Sequence, residues 1–590
     1  MTSHNELYPQ QRRTGVARFV PLLGWLPDYN RGVFRQDLIA GLTVAVMLVP
    51  QSMAYAALAG MPPVTGLYAS IVPLVVYALL GTSGTAAVGP VALTALLTGA
   101  ALAPLANGDP GRYVALAGLL ALLVGAIQVT MGVLRLGAVV NFMSHSVLAG
   151  FTSAAAIIIA ASQVKDLLGL DADREDGFPR IVAGIWDTVH TVHGLTVVVS
   201  VVSILGLVLL KRFVPKVPGS LLVVTGVTVA SALLGFGGRG VEILTEIPGG
   251  LPVPSLPSVT GADVTALLPT AFAIALVAYM ESIAVAKALA AKSRRSINPD
   301  TELVAMGSAN VSAGVFGAFP VAGGFARSAV NFAAGARTPV ATVITAMVVA
   351  VTAIAFTPAF YHLPKAVLGA IIVVAVLGLV DAKSAVAAWR ARYVDGITFT
   401  LTFVATLAFG PEPGLAAGVV FSLGAFLWRS SRPHQAELGQ IPGTTTFRNV
   451  ARYDGLITDP RIAVIRVDAP FYFANAHEVQ DALMGLAEQR ARLHTIVLDA
   501  SAISDCDADG AHTLAELRER LSDRGITLRL ATVRGPVRDL LSRTGLWQRL
   551  RDANHVHADV ATAVAAAGGF PRLQAASAPL GRRTRHRCPP

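Results

Sequence analysis

Gln51 and Tyr55 lie with Pro50 at the middle of DLIAGLTVAVMLVPQSMAYAALAGMPPVTGLY (37–68), a run long enough to cross a bilayer. A polar, helix-breaking centre at membrane depth is tolerated where it is buried in protein or lines a cavity, so these residue types point to a binding site. Glu281 stands in LVAYMESIAVAKALA and Arg327 in FPVAGGFARSAVNFAAGA, both otherwise apolar. Each charge costs roughly 2.5–3.5 kcal/mol at a lipid-exposed helix centre on an insertion scale, so both are expected to face inward, where they could face each other. Plainer roles compete: an ion pair that only locks helices for Glu281 and Arg327, an interhelical hydrogen bond for Gln51, and aromatic packing for Tyr55.

The elements that carry these residues include two that are too broken to span. GTSGTAAVGPVALTALLTGA (81–100) has a Gly and Pro cluster followed by a half-length helical run, and the segment 319–336 repeats that design. One such segment in each half of the chain is the pattern of an inverted repeat with two discontinuous helices. Half-helices starting near Pro90 and near Phe325, in opposite topology, point their N-termini at each other. Unpaired backbone N–H groups and helix dipoles then converge on one place, which favours an anion.

Of the 590 residues, 54% are hydrophobic and 14% charged, the composition of an integral membrane protein. The net charge of +10 raises nucleic acid as a partner, but the basic residues sit in short clusters between apolar runs. Retention of basic loops in the cytoplasm explains that pattern, and no nucleic-acid partner is expected. The clusters are Arg12/Arg13/Arg18/Arg31/Arg35, Lys211/Arg212/Lys216, Lys287/Lys292/Arg294/Arg295, Lys383/Arg390/Arg392 and Arg429/Arg432. With about fourteen membrane segments all of them fall on one side, so both termini are expected in the cytoplasm and the loops 169–193 and 236–263 outside. The N-terminus lacks the apolar run of a cleavable signal, and the first span is expected to insert directly and stay.

After Trp428 the texture changes: β-branched strands (IAVIRV, TIVLDA, ITLRLA) alternate with charged helical patterns, which reads as a separate α/β domain. The expected organisation is an N-terminal cytoplasmic segment (1–36), a transmembrane domain (37–432), a cytoplasmic α/β domain (433–568) and a disordered basic tail (569–590). Cys506 and Cys588 make neither a disulfide framework nor a metal site alone, and the histidines lack ligand spacing. Asp499, Asp505, Asp507 and Asp509 crowd one loop, where capping the following helix is the expected role rather than cation binding. No Walker-type loop or nucleophile triad is visible, so neither an enzyme nor an ATP-driven pump is expected, and no cofactor or metal.

At these residues the chain resembles the SulP-type anion permeases, the sulfate transporters and the animal anion exchangers that include prestin. The resemblance rests on AGLTVAVMLVPQSMAYAALAGMPPVTGLYAS, on VGPVALTALLT and on the long match from MESIAVAKALA through FPVAGGFARSAVNFAAGARTP. FYFANA and IVLDASAISDCDADGAHTL carry a similar resemblance to a STAS domain. The family implies a polytopic α-helical protein of seven-plus-seven inverted repeats, split into core and gate domains that move as an elevator, as a homodimer in the cell membrane. It further implies an anion held between the half-helices by Gln51, Tyr55, Val91, Phe325, Ala326 and Arg327, with the Glu at position 281 associated with proton coupling. Two positions depart from the pattern. Gly323-Gly324-Phe325-Ala326-Arg327-Ser328 lacks the serine commonly found where Ala326 stands, so a hydroxyl that would meet the anion is missing. Ala508 replaces the serine phosphorylated in anti-sigma-factor antagonists, which excludes a phosphoswitch there.

The expected function is proton-coupled sulfate import, in which ionised Glu281 pairs with Arg327 and protonation of Glu281 frees the guanidinium for the anion. A bicarbonate or dicarboxylate transporter, sodium-coupled in one version, is the alternative, and a membrane-anchored STAS sensor or scaffold is the rival from another class.

Overall fold

A computed structural model of the chain describes residues 27, 29–137, 144–171, 177–214, 219–244, 248–292 and 297–570. The basic residues Arg12, Arg13, Arg18, Lys216, Arg294 and Arg295, the acidic Asp173, Glu175 and Asp176, and the C-terminal tail with Cys588 lie outside the described residues. The chain divides into two compact units, Met1–Ser422 and Leu423–Pro590.

The first repeat of the membrane unit runs α1 (Arg31–Leu58), α2 (Pro63–Tyr68) and α3 (Val72–Leu80), β1 (Val88–Gly89) with α4 (Ala92–Ala106), and α5 (Pro110–Val133). It continues with α6 (His145–Ser162), α7 (Val164–Leu168), α8 (Phe178–Thr188), α9 (Gly194–Phe213) and α10 (Gly219–Leu234). The second repeats that order: α11 (Gly261–Lys292), α12 (Pro299–Val315), β2 (Ala322–Gly323) with α13 (Phe325–Ala333), and α14 (Val340–Val351). Then follow α15 (Lys365–Val376), α16 (Ala382–Ala391), α17 (Tyr393–Phe409) and α18 (Pro411–Ser431). Among the described residues nine helical runs are long and apolar enough to cross a bilayer. The shorter α4, α10 and α17, with α12 and α13, complete the segments that the sequence pattern anticipates. Because seven crossings precede α11, the second repeat enters from the opposite face. The amphipathic α8 and α16 occupy the same place in each repeat and expose Trp186 and Trp389, as interfacial aromatic anchors do.

Packing follows the same symmetry. α1 lies against α13 and α14, and α11 against α4 and α5; α6 packs on α17 as α9 does on α15. The first set forms a core, the second a gate. Pro50 does not break α1, contrary to the sequence expectation: the helix runs continuously through it, buried on most of its faces. A proline deletes one N–H and strains one turn, and close packing by neighbouring helices holds that turn in place.

The tightest seam joins α5 to α12. Gly118, Gly125 and Gly132 recur every seventh residue, and a Cβ on Gly125 would lie 2.6 Å from the Gly307 carbonyl oxygen. In lipid, helices associate through such close approach, since no hydrophobic effect separates tails from leucine. The seam brings Gln128 to Asn310, whose Nδ2 donates to Gln128 Oε1 at 3.0 Å while its Oδ1 accepts from the Val321 N–H at 2.8 Å. Asn310 thereby fixes the chain just before β2. Two carboxylates then tie each repeat's first helix to the segment that follows the other repeat's half-helix. Asp37 accepts from the N–H groups of Arg337 (2.7 Å) and Thr338 (3.1 Å), and Asp263 from Arg112 (2.9 Å).

The second unit contains a six-stranded sheet in the order β4-β3-β5-β6-β7-β8. Its elements are β3 (Gln435–Gln440), β4 (Phe447–Asn449), β5 (Ile462–Val467), α19 (Ala476–Gln489), β6 (Thr495–Asp499) and α20 (Ala508–Asp523). β7 (Thr527–Ala531), α21 (Gly535–Arg543), α22 (Leu546–Asp552), β8 (Val556–His557) and α23 (Val560–Ala566) complete it. β5 to β8 are parallel and β3 is antiparallel to both its neighbours. Strands covered on both faces need near-continuous apolar runs, which IAVI of IAVIRV and IVL of TIVLD supply. One face packs Ile465, Ile496 and Leu528 against α19 and α20, the other packs Val464 and Val497 against Ala563 and Val564 of α23.

The aspartate-rich loop spends its carboxylates on backbone. Asp507 accepts from Gly510 N–H at 2.7 Å as the N-cap of α20, and from Phe473 N–H at 3.0 Å; Asp499 accepts from Ser501 N–H at 3.0 Å. Burial, then the charges of Asp507 and Asp505, push the Cys506 thiol up to about 12. The thiolate is the reactive form, so Cys506 is expected to alkylate on the order of a hundredfold or more slower at pH 8 than a free thiol. Maleimide labelling of a Cys588→Ser variant, folded and then denatured, checks this.

Candidate functional site

The site starts from the two short strands. β1 and β2 pair antiparallel, Val88 opposite Gly323 and Gly89 opposite Ala322. Each leads directly into its half-helix, so α4 and α13 begin side by side and run apart. Ser328 Oγ accepts from the Ala87 N–H at 2.8 Å, Ser282 Oγ of α11 accepts from Gly323 N–H at 2.8 Å, and Asn331 Nδ2 donates to the Thr85 carbonyl at 3.0 Å. On the far side of that loop, buried Glu302 accepts from Tyr77 Oη (2.8 Å) and from the N–H groups of Thr82 (2.7 Å) and Ser83 (3.0 Å).

Neither half-helix is capped by its own chain. The N-cap positions are Val91 and Gly324, and neither supplies a side-chain cap. Serine, threonine or aspartate would ordinarily fill such positions and satisfy the first-turn N–H groups; a valine and a glycine leave them for a ligand.

A cavity of about 400 Å³ opens at this junction. Gln51, Tyr55, Val91, Phe325, Ala326 and Arg327 all line it, and so does Glu281. The structure therefore brings together every candidate binding or coupling residue named from the sequence. Phe325 is 60% exposed, whereas Arg327 is 2% exposed. The Arg327 guanidinium folds back over Gly324, where a Cβ would come within 2.8 Å of Nη2, and donates through Nη1 to the Pro90 carbonyl at 2.5 Å. Among the described residues its Nε and Nη2 have no hydrogen-bond partner, nor have Gln51 Oε1 and Glu281 Oε2.

One expectation is corrected here. Glu281 and Arg327 share the cavity, but among the described residues no ion pair joins them; the guanidinium is held by the Pro90 carbonyl instead. A carbonyl is a neutral acceptor close to the helix start and takes one N–H without neutralising the charge. The cation is thus held in place with its charge unspent.

The opposite wall comes from the gate. Leu207 of α9 and Ile371, Val374 and Val376 of α15 make it apolar. Thr43, Ser220 and Lys211 add polar groups that sequence reasoning missed. Lys211 read as a topological marker because it ends an apolar run beside Arg212; nothing in its spacing shows which face of α9 it occupies. The positioning residues Ser282, Glu302, Asn310 and Ser328 were also missed, being ordinary polar residues within helical runs.

The sequence profile of the sulfate permease family matches residues 34–402 and that of the STAS domain residues 456–563. The chain is 38% identical over 557 residues to the chloroplastic sulfate transporter 4.1 of Arabidopsis thaliana, covering 90% of this chain and 80% of the relative. It is 34% identical over 550 residues to a probable sulfate transporter of Mycobacterium tuberculosis, covering 92% and 98%. Among solved structures, the murine Solute Carrier 26 family member A9 anion transporter in its inward-facing state superposes with a TM-score of 0.89 at 25% identity, covering 95% of this chain and 97% of that one. The transmembrane domain of a cyanobacterial bicarbonate transporter shares the fold with a TM-score of 0.58 at 23% identity. These relatives are transporters rather than enzymes, and the chain belongs to the sulfate permease family, with a STAS domain following its membrane domain.

Proposed function

We propose that the protein imports sulfate coupled to protons, holding the anion between the N-termini of α4 and α13. The observation that carries this reading is the pair of uncapped half-helix starts converging on the unspent Arg327 charge, in a cavity that also contains Glu281. Gln51 and Tyr55 approach from α1, and Val91, Phe325 and Ala326 offer backbone N–H groups and walls. The names of the sulfate transporters that align along almost the whole chain support the substrate.

Coupling is needed on energetic grounds. A dianion entering against a negative-inside potential costs roughly 2.3 kcal/mol per charge per 100 mV, about 4.6 for two charges. Uniport would drive efflux. Glu281 shares the cavity with the anion, so its ionised form repels the substrate and its protonated form does not.

The smooth apolar gate wall opposite a polar core supports an elevator, in which the core slides past the gate with its anion. The cavity lining runs from buried Arg327 to exposed Lys211, which puts its opening at the end of α9 that carries the basic cluster; by the positive-inside rule this end, both termini and the STAS domain are cytoplasmic, in a plasma or inner membrane. A homodimer is the proposed assembly. Ala326 favours a second reading, transport of bicarbonate or a dicarboxylate, because it removes a hydroxyl that would meet a tetrahedral oxyanion. Radiolabelled sulfate, bicarbonate and fumarate uptake into proteoliposomes under imposed pH and sodium gradients tests the proposal; sulfate accumulation without response to the proton gradient would overturn it.

The cavity is lined entirely by residues of the first unit. Truncation near residue 435 is therefore expected to lower expression or rate, by an estimated two- to tenfold in rate, without changing the ranking of substrates. Competition of each anion against labelled sulfate, in truncated and full-length protein, measures that ranking.

A further inference from the structure

We infer that Lys211 is a second, gate-borne cation of the anion site, one that strengthens anion binding only from the face onto which the cavity opens. The inference rests on the transport reading above.

Lys211 sits in the last turn of α9, is exposed, and lines the same cavity as Arg327. No ion pair engages it among the described residues. The basic residues around it have been accounted for as topological signals, which a lysine satisfies anywhere in a loop; lining a substrate cavity is a separate property. α9 packs with α10 and α15, which form the gate, whereas Arg327, Glu281 and both half-helix starts ride on the core. Ser220 of α10 lies at the same mouth.

Two consequences follow from a cation on each side of the boundary between core and gate. An anion entering from this face meets Lys211 and Arg327 together, and a dianion gains twice what a monoanion does. When the core moves to expose the site on the other face, Arg327 travels with it and Lys211 stays. The two faces then differ in affinity, and the anion is held less tightly where Lys211 is absent. A flexible ammonium suits this role, because it follows the anion over a range of positions and releases it without a fixed geometry.

The test uses full-length protein in right-side-out and inverted membrane vesicles from the same expressing cells, with the half-saturation concentration for sulfate counterflow measured at each face. Lys211→Gln is expected to raise half-saturation about fivefold at the face onto which the cavity opens and to leave the other face within about 1.5-fold, with Lys211→Arg restoring most of the loss. The difference is expected to shrink at high ionic strength, since the mouth is solvent-accessible. The same substitution is expected to affect a monovalent anion competitor less than sulfate. An unchanged value at both faces, or an equal rise at both, overturns the inference. Wild-type vesicles run alongside keep the two readings apart: absent sulfate counterflow there defeats the sulfate assignment, whereas wild-type counterflow with an unresponsive Lys211→Gln defeats this inference alone.

Discussion

Replacing Arg327 with alanine is expected to abolish saturable sulfate uptake while leaving a folded, inserted protein. Among the described residues Arg327 holds only one hydrogen bond, to the Pro90 carbonyl, so its removal frees one acceptor and breaks no ion pair there. The strands and loops around it are fixed independently through Ser282, Ser328, Asn331 and Asn310. The anion, in contrast, loses its buried counter-charge. Truncating one partner of a buried, hydrogen-bonded charge pair costs about 3–5 kcal/mol, which is roughly two to three and a half orders of magnitude in affinity. Lysine is expected to rescue poorly: Nε and Nη2 project as a planar fork beside Gly324, and a single ammonium on a shorter reach does not reproduce two parallel donors. The measurement is sulfate uptake by proteoliposomes, with a size-exclusion profile and thermal transition matched to wild type. A well-folded Arg327→Ala variant with wild-type uptake would place the anion elsewhere.

Why the candidate site was legible in the sequence is a matter of cost. Charges and breaks within apolar runs are expensive in lipid, so Gln51, Glu281, Arg327 and the two Gly and Pro clusters stand out against their surroundings. The β-branched strands of the STAS domain were equally readable, since strands covered on both faces carry near-continuous apolar runs. The gate wall was not readable. Ile371, Val374 and Val376 line the cavity, yet a helix that is apolar on every face gives no periodicity by which to choose the face that meets substrate. Lys211 was hidden for the opposite reason, because a basic residue at a span's end has a sufficient explanation already. The expected Glu281 and Arg327 ion pair failed on a competition that sequence does not display: the Pro90 carbonyl, freed at a strand-to-helix break, lies within hydrogen-bond reach of the guanidinium. The continuous α1 through Pro50 is a similar case, where tertiary packing overrides a local propensity.

The absence of that ion pair sharpens what Glu281 must do if it couples protons to transport. It does not have to release Arg327, which is already unspent towards the cavity. It needs only to place or remove a negative charge beside the anion. At an effective dielectric of about 20 and a separation of about 8 Å, a unit charge against a dianion is worth roughly 4 kcal/mol, enough to make binding of sulfate and of the proton mutually dependent. Glu281→Gln keeps the shape of the protonated acid and fixes its charge at zero. This variant is expected to bind sulfate and exchange it across the membrane within about threefold of wild-type rates, because the repulsion is permanently absent. Concentrative uptake driven by an inward proton gradient is expected to vanish, with the accumulation ratio falling to that of an uncoupled carrier. The pH dependence of sulfate binding is expected to flatten as well. In wild type, binding weakens as pH rises through the titration of Glu281, since the ionised form opposes the anion; in the amide variant nothing titrates at that position. Counterflow and gradient-driven uptake, measured side by side in proteoliposomes, separate binding from coupling. Proton-driven accumulation that persists in Glu281→Gln would move the coupling group elsewhere and leave Glu281 as a lining residue that tunes affinity alone.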